Sequence, residues 1–387
     1  MKIFNFFHPL VWIILCGTIF TRIASFMTMP FLAIYLHNEM AASPLLIGLT
    51  LGVAPLCATF GGFIGGFLTD KFGRRVVIIS TVFVWSAVFV GFALATIAPI
   101  FVLLNAINGL CRSFFEPGTQ ALMIDFTEDN KKRRLFSVRY TAINIAAVIG
   151  PLIGVMISKL SSPAVPFIIT ASMYALYGLF LIFVLNKYEM RQKLLVKGQS
   201  ILHIFQVMLA DRKLLLFLAG GVLISVGYSQ FDSTLPQFIQ MNIEDGVELF
   251  SILIAFNAAI VLLLQLPISI ITEKISIMKS LIIGIVFFAI GLMFFGLAET
   301  NFTFIVAMTV FTIGEIFAFP MMNAIIEEIA PETQKATYLG ASQFKNIGGF
   351  IGPLFGGWLL IHFEAQLFFV MAVAVLLSVP FYRRAFK

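Results

Sequence analysis

The chain has 387 residues, of which 60% are apolar and only 11% charged, with 25 basic and 19 acidic side chains giving a net charge of +6. An ordinary soluble domain carries about 25% charged residues and needs them to cover its surface. This composition, with 44 phenylalanines, therefore excludes a water-soluble globule and specifies a chain whose solvent is mostly lipid.

A helical crossing takes about 20 apolar residues and a short loop about ten more, so the length accommodates about a dozen spans. The apolar runs are continuous rather than alternating, which excludes a β-barrel. In chain order they fall near residues 9–36, 44–68, 76–96, 100–125, 137–159 and 164–186, then 213–240, 248–272, 279–298, 302–327, 337–361 and 365–382. The first run has no small-x-small cleavage site and reads as a retained span rather than a signal peptide. The expected fold is an all-α membrane protein of twelve transmembrane helices.

Short cytoplasmic loops carry the excess of lysine and arginine. Lys2, Lys71, Arg74, Arg75, Lys131, Lys132, Arg133 and Arg134 mark one side, and Lys187, Arg191, Lys193, Lys197, Arg212, Lys274, Lys279, Lys335, Arg383, Arg384 and Lys387 continue on it. The opposite loops hold Lys159 with Glu39, Glu244, Asp245, Glu248, Glu299 and Glu364. Both termini are thus expected in the cytoplasm, which requires an even number of spans. The basic excess orients loops and gives a nucleic-acid partner little support.

The basic stretch 187–212 separates two halves, 1–186 and 213–387, that resemble each other. Aligning Pro117 with Pro320 sets Asp125 on Glu328 and Arg112 on Glu315, and with one gap it sets Gly150, Pro151 and Gly154 on Gly352, Pro353 and Gly356. Pro30 of span one likewise matches Pro236 of span seven. Two parallel repeats are the pattern of a protein that rocks two six-helix bundles about a midplane site. Within the linker, Ile201, Phe205, Met208 and Leu209 form an apolar stripe, which reads either as an interfacial helix or as an ordinary connector.

After span two, Gly66, Asp70, Gly73, Arg74 and Arg75 fit the pattern G-x-L-x-D-x-x-G-R-[RK]. Glycine permits a tight turn, and an acid four residues before an arginine permits a charge-assisted bond. The loop resembles the signature loop of the major facilitator superfamily. Span five, through Gly150, Pro151 and Gly154, is similar to the G-x-x-x-G-P-x-x-G-G motif of that family's drug:proton antiporters, with Ala146 and Val155 in place of two glycines. Span eleven carries the complete pattern from Gly348 to Gly357. Such glycines and prolines permit helix kinks and close packing.

Ionisable residues at membrane depth are costly unless paired or hydrated, so each is a site hypothesis. Arg22 lies in span one, Arg112 and Glu116 in span four, Asp232 in span seven and Glu315 in span ten. The resemblance implies that these four spans line a central cavity and that Arg112 serves proton coupling. Arg112 and Glu116, four residues apart, read either as a structural pair or as part of that coupling. Asp232 and Glu315 have no opposite charge within a helical turn of sequence and are the expected proton carriers, because a desolvated carboxyl takes up a proton readily. Asp232 alternatively is hydrated or pairs with Arg22. The family pattern also places Asp125 opposite the loop arginine, so Gly66, Asp70, Gly73, Arg74 and Asp125 form an expected conformational latch. Glu327, Glu328 and Lys345 are its expected counterpart, or else are solvated span-end charges.

Cys16, Cys57 and Cys111 are scattered in apolar runs and imply neither disulfides nor a metal site. There is no phosphate-binding loop, H-E-x-x-H or G-x-S-x-G pattern, so neither P-loop ATP hydrolysis nor a catalytic centre is expected, and no cofactor. The resemblance implies a monomeric secondary transporter in the cell membrane, exchanging protons for an amphipathic or cationic compound. The alternative is a proton-coupled carrier of a specific metabolite, sugar or anionic metal-chelating compound, which Arg22 and Arg112 favour. A transport-inactive receptor or membrane enzyme is disfavoured by the intact loop.

Overall fold

A computed structural model describes residues 6–128, 131–188, 206, 209–272, 274–329, 338 and 341–386. Among these residues every regular element is helical. Lipid offers no partner for a free N–H or C=O, so each apolar run must satisfy its backbone internally. The striped linker, apart from residue 206 and the residues from 209 onward, lies outside the described residues.

Span one comprises helices Pro9–Thr28 and Leu32–Met40, joined by a 3-10 turn at Met29–Phe31. Spans two to six are single helices, Pro44–Phe72, Arg74–Leu94, Ala98–Asp125, Lys132–Leu160 and Val165–Lys187. Span seven comprises Arg212–Tyr228 and Thr234–Asn242, followed by spans eight to ten at Gly246–Thr272, Ile277–Leu297 and Asn301–Ile329. Span eleven is a 3-10 turn Gln343–Ile347 running into Gly348–Phe363, and span twelve is Gln366–Leu376 followed by Ser378–Ala385.

Eleven of these stretches are continuous and apolar enough to cross a membrane. Span seven is the twelfth expected crossing, divided into helices of 17 and 9 residues. Proline explains the division: Pro236 has no N–H to offer the carbonyl of residue 232, where the helix loosens. Pro30, its repeat mate, sits inside the break of span one.

The repeat seen in sequence recurs in the packing. Span one packs on spans five and six as span seven packs on eleven and twelve, and span three packs on four and six as span nine packs on ten and twelve. Glycine makes the closest of these approaches. A Cβ on Gly150 would stand 2.6 Å from the Phe26 Cβ, and one on Gly154 would strike the Met27 carbonyl oxygen. At the repeat-equivalent positions, a Cβ on Gly352 would stand 2.7 Å from the Val226 carbonyl oxygen and one on Gly356 would strike the Gln230 amide oxygen. Pro151 and Pro353 both lie inside helices.

By compactness the chain divides into one unit of residues 1–32 with 60–198 and another of 33–59 with 199–387. In the first unit Tyr174 stacks on Trp85 and Phe89 with ring centroids at 4.8 and 5.4 Å. In the second, Phe311 packs against Phe288 at 4.5 Å and stacks on Tyr228 at 6.0 Å. The start of span two also belongs to the second unit, where Gly48 and Gly52 pack on Pro353 and Phe350 of span eleven. Outward-facing side chains are large and apolar, as lipid requires, with Leu160, Phe183 and Leu266 each at least 74% exposed.

Candidate functional site

Span four carries a polar stripe through otherwise apolar surroundings. Asn105, Asn108, Arg112, Glu116 and Thr119 recur at intervals of three and four residues, which places them on one helix face. Asn108 accepts from Trp85 Nε1 at 2.6 Å and donates to Asn105 at 2.8 Å. Below them Arg112 Nε donates to Glu116 Oε1 at 3.0 Å.

The tertiary fold adds two arginines to that sequence-local pair. Arg22 of span one donates to the same Glu116 oxygen, and Arg139 of span five lies 3.9 Å from Oε2. Arg22, Arg139 and Glu116 retain only 16%, 14% and 23% side-chain exposure, whereas Arg112 retains 59%. Span six fixes the backbone that presents Arg22: Thr170 Oγ1 donates to the Ala24 carbonyl at 2.9 Å and Tyr174 Oη to the Thr21 carbonyl at 3.3 Å. Arg22, Arg112 and Glu116 thus meet, and Arg139, which sequence reasoning assigned no role, joins them. Its signal was present in its depth: it lies seven residues into the helix that begins at Lys132.

The second half treats its acid differently. Glu315 Oε1 accepts from Tyr228 Oη at 3.4 Å, and Oε2 accepts from Asn257 Nδ2 at 3.1 Å. Asn257 also donates to Thr312 at 2.8 Å, which fixes its amide. Asp232 occupies the turn between the two helices of span seven. In that turn the buried Gln230 donates to the carbonyls of Val226 at 2.7 Å and Gly352 at 3.0 Å, and accepts from Thr234 at 2.8 Å. Tyr228, Gln230 and Asn257 carry no charge and escaped sequence reasoning.

At the end of span two, Gly73 adopts φ of 82°, a conformation only glycine takes without strain. It turns the chain into span three so that Arg74 reaches Asp125 of span four, Nη1 to Oδ2 at 2.6 Å. The side chains of Asp70 and Glu327 lie outside the described residues, and Glu328 is exposed at the end of span ten. Lys345 sits on the 3-10 turn that opens span eleven, where a Cβ on Gly221 would stand 2.8 Å from its Cβ. Asp211 caps span seven by accepting from the N–H groups of Lys213 at 2.7 Å and Leu214 at 3.3 Å, and it also accepts from Tyr338.

Parallel repeats of apolar helices, with charged side chains gathered at membrane depth in each, define a multi-pass membrane transporter rather than an enzyme. The model of the Major Facilitator Superfamily matches residues 14–344 and 246–385, and the chain belongs to that family. It is 36% identical to the MFS-type transporter YqjV of Bacillus subtilis (strain 168), covering 100% of this chain and 96% of that protein. It is also 28% identical to a Na(+), Li(+), K(+)/H(+) antiporter of Planococcus maritimus over 88% of this chain and 87% of that one. Identity to the multidrug resistance protein MdtH of Yersinia enterocolitica is 25%, over 90% and 86% of the two chains. Among solved structures, a mutant of the nucleoside transporter NupG superposes with a TM-score of 0.83 over 98% of this chain and 100% of that one, at 14% identity. That likeness concerns the fold alone.

Proposed function

We propose that the protein is a proton-coupled antiporter that exports amphipathic small molecules by alternating access between two six-helix bundles, 1–186 and 213–387. One observation carries this reading: the two buried acids have opposite surroundings. Glu116 faces three arginines, so its charge is answered within its own bundle, while the hydrogen-bond partners of Glu315 are the neutral Tyr228 and Asn257. A neutral donor set accommodates both the carboxylate and the acid, the property a proton carrier needs.

Glu315 is the carrier in this reading, with Asp232 as its relay at the break in span seven. Arg112 and Glu116 act with Arg22 and Arg139 as a fixed charge cluster, and Arg74 with Asp125, together with Asp70, forms the latch. The kinship to a multidrug resistance protein supports export. One proton descending about 100 mV and one pH unit supplies roughly 3.7 kcal/mol, enough to hold a neutral solute at a gradient of roughly five-hundredfold. Both termini are cytoplasmic, the bilayer is the cell membrane and the monomer is the working unit.

Purified protein in proteoliposomes with a trapped pH dye tests the reading. Addition of an amphipathic dye such as ethidium, or of an amphipathic acid, is expected to drive proton movement in the wild type and not in Glu315→Gln. Normal coupling in that variant refutes the assignment. A second reading, exchange of protons for monovalent cations, is favoured by the name of the 28% identical relative. Proton movement driven by sodium or potassium chloride but by no amphipathic compound would select it.

A further inference from the structure

Bases collect at one face of any multi-pass membrane protein, because topology alone places them there. At the basic end of the second half two of them also line a cavity. Met278 at the start of span nine and Pro380, Arg383, Arg384 and Phe386 at the end of span twelve border a space of about 550 Å³. Spans nine and twelve pack side by side, and the last helix of span twelve, Ser378–Ala385, packs on spans seven and nine. Three of the five lining residues are apolar, and the other two carry guanidiniums.

Those guanidiniums are exposed, and their side chains make no hydrogen bond or ion pair among the described residues. The acids at this end of the second half are fewer than the bases: residues 211–213, 273–279, 327–345 and 383–384 hold eight bases and the five acids Asp211, Glu273, Glu327, Glu328 and Glu332. Asp211 is engaged by the first turn of span seven and by Tyr338. Glu328 is exposed, and the side chains of Glu273, Glu327 and Glu332 lie outside the described residues. Pairing all five acids with bases still leaves a positive surplus.

The cavity also continues toward the bilayer. Val370, Val373, Leu377, Pro380 and Arg384 are all exposed and recur at intervals of three and four residues, which places them on one helix face. An apolar stripe therefore runs along span twelve and ends on an arginine. That sequence of surfaces matches a molecule with an anionic head and long apolar tails.

We propose that the cavity binds an anionic phospholipid, its phosphodiester held by Arg383 and Arg384 and its acyl chains laid along Pro380, Leu377 and Val373. Planar guanidiniums hold phosphate oxygens through paired, charge-assisted hydrogen bonds. A zwitterionic lipid brings an ammonium that the surrounding bases repel, and an anionic one does not. Free phosphate lacks the tails that the stripe accommodates.

Full-length protein in neutral maltoside micelles tests this, read by native mass spectrometry as the fraction that retains an added lipid. The probes are dioleoylphosphatidylglycerol, dioleoylphosphatidylcholine and inorganic phosphate. Phosphatidylglycerol is expected to be retained in preference to phosphatidylcholine and to resist displacement by millimolar phosphate. Arg384→Gln is expected to weaken retention about fivefold, and the double variant with Arg383→Gln roughly 25-fold. Lys187→Gln removes an exposed base at the end of span six, outside the cavity, and is expected to change retention less than about twofold. If the double variant does not fold, Arg384→Gln alone decides. The proposal is overturned if phosphatidylcholine is retained equally, if free phosphate displaces the lipid, or if no lipid is retained. It is equally overturned if the arginine variants retain phosphatidylglycerol as the wild type does, or if Lys187→Gln loses as much as they do.

Discussion

Replacing Glu116 by glutamine keeps the side chain's size and removes its charge, leaving Arg22, Arg112 and Arg139 around a neutral amide. Arg22 and Arg139 are 16% and 14% exposed, so water answers little of the released charge. Removing one partner of a buried ion pair costs about 3–5 kcal/mol. The 23% exposure of Glu116 and the 59% exposure of Arg112 place this case at the lower end, about 3 kcal/mol. Reversible unfolding in mixed micelles measures it in a double-mutant cycle with Arg22→Gln. If Glu116 is the counter-ion of Arg22, the double variant recovers about 1–3 kcal/mol relative to the sum of the single variants. Additivity within about 0.5 kcal/mol would refute the idea that one carboxylate compensates the cluster.

The remaining predictions concern other parts of the molecule. Gly154→Val and Gly356→Val force side-chain atoms onto the Met27 carbonyl and the Gln230 amide; each is expected to destabilise by at least about 1–3 kcal/mol, the range for overpacking, read as a lowered thermal midpoint, and a neutral result would show that the helices part easily. Asp211→Ala loses both the cap of span seven and the acceptor of Tyr338, and a loss of about 1–2 kcal/mol is expected, more than Tyr338→Phe causes. Arg74→Gln breaks the bond to Asp125; the expected outcome is faster hydrogen exchange at the ends of spans two and four, and unaltered exchange would deny the latch.

Much of this architecture is legible in the sequence because lipid is a simple solvent. Continuous apolar runs mark the spans, and the aligned Pro117 and Pro320 anticipate packing that repeats pair by pair. Arg22, Arg112, Glu116 and Glu315 stand out because charge is scarce. Arg139 does not, since it follows a run of loop bases and reads as one more of them. Tyr228 and Asn257 escape for a different reason: a neutral donor in an apolar helix has no distinguishing pattern until its partner is known.

The sequence by itself determined that the chain crosses the membrane repeatedly, that its halves are related, and which few charges must lie at depth. Hydrophobic length, loop charge and proline position are local properties, and the bilayer reads them one segment at a time. Only the tertiary structure decided which charge answers which. Partners on spans one, four and five, or on seven, eight and ten, come from segments up to 94 residues apart, and helix packing alone sets their distances. That packing turned an apparent Arg112–Glu116 pair into one acid shared by three arginines, and gave Glu315 neutral hydrogen-bond partners.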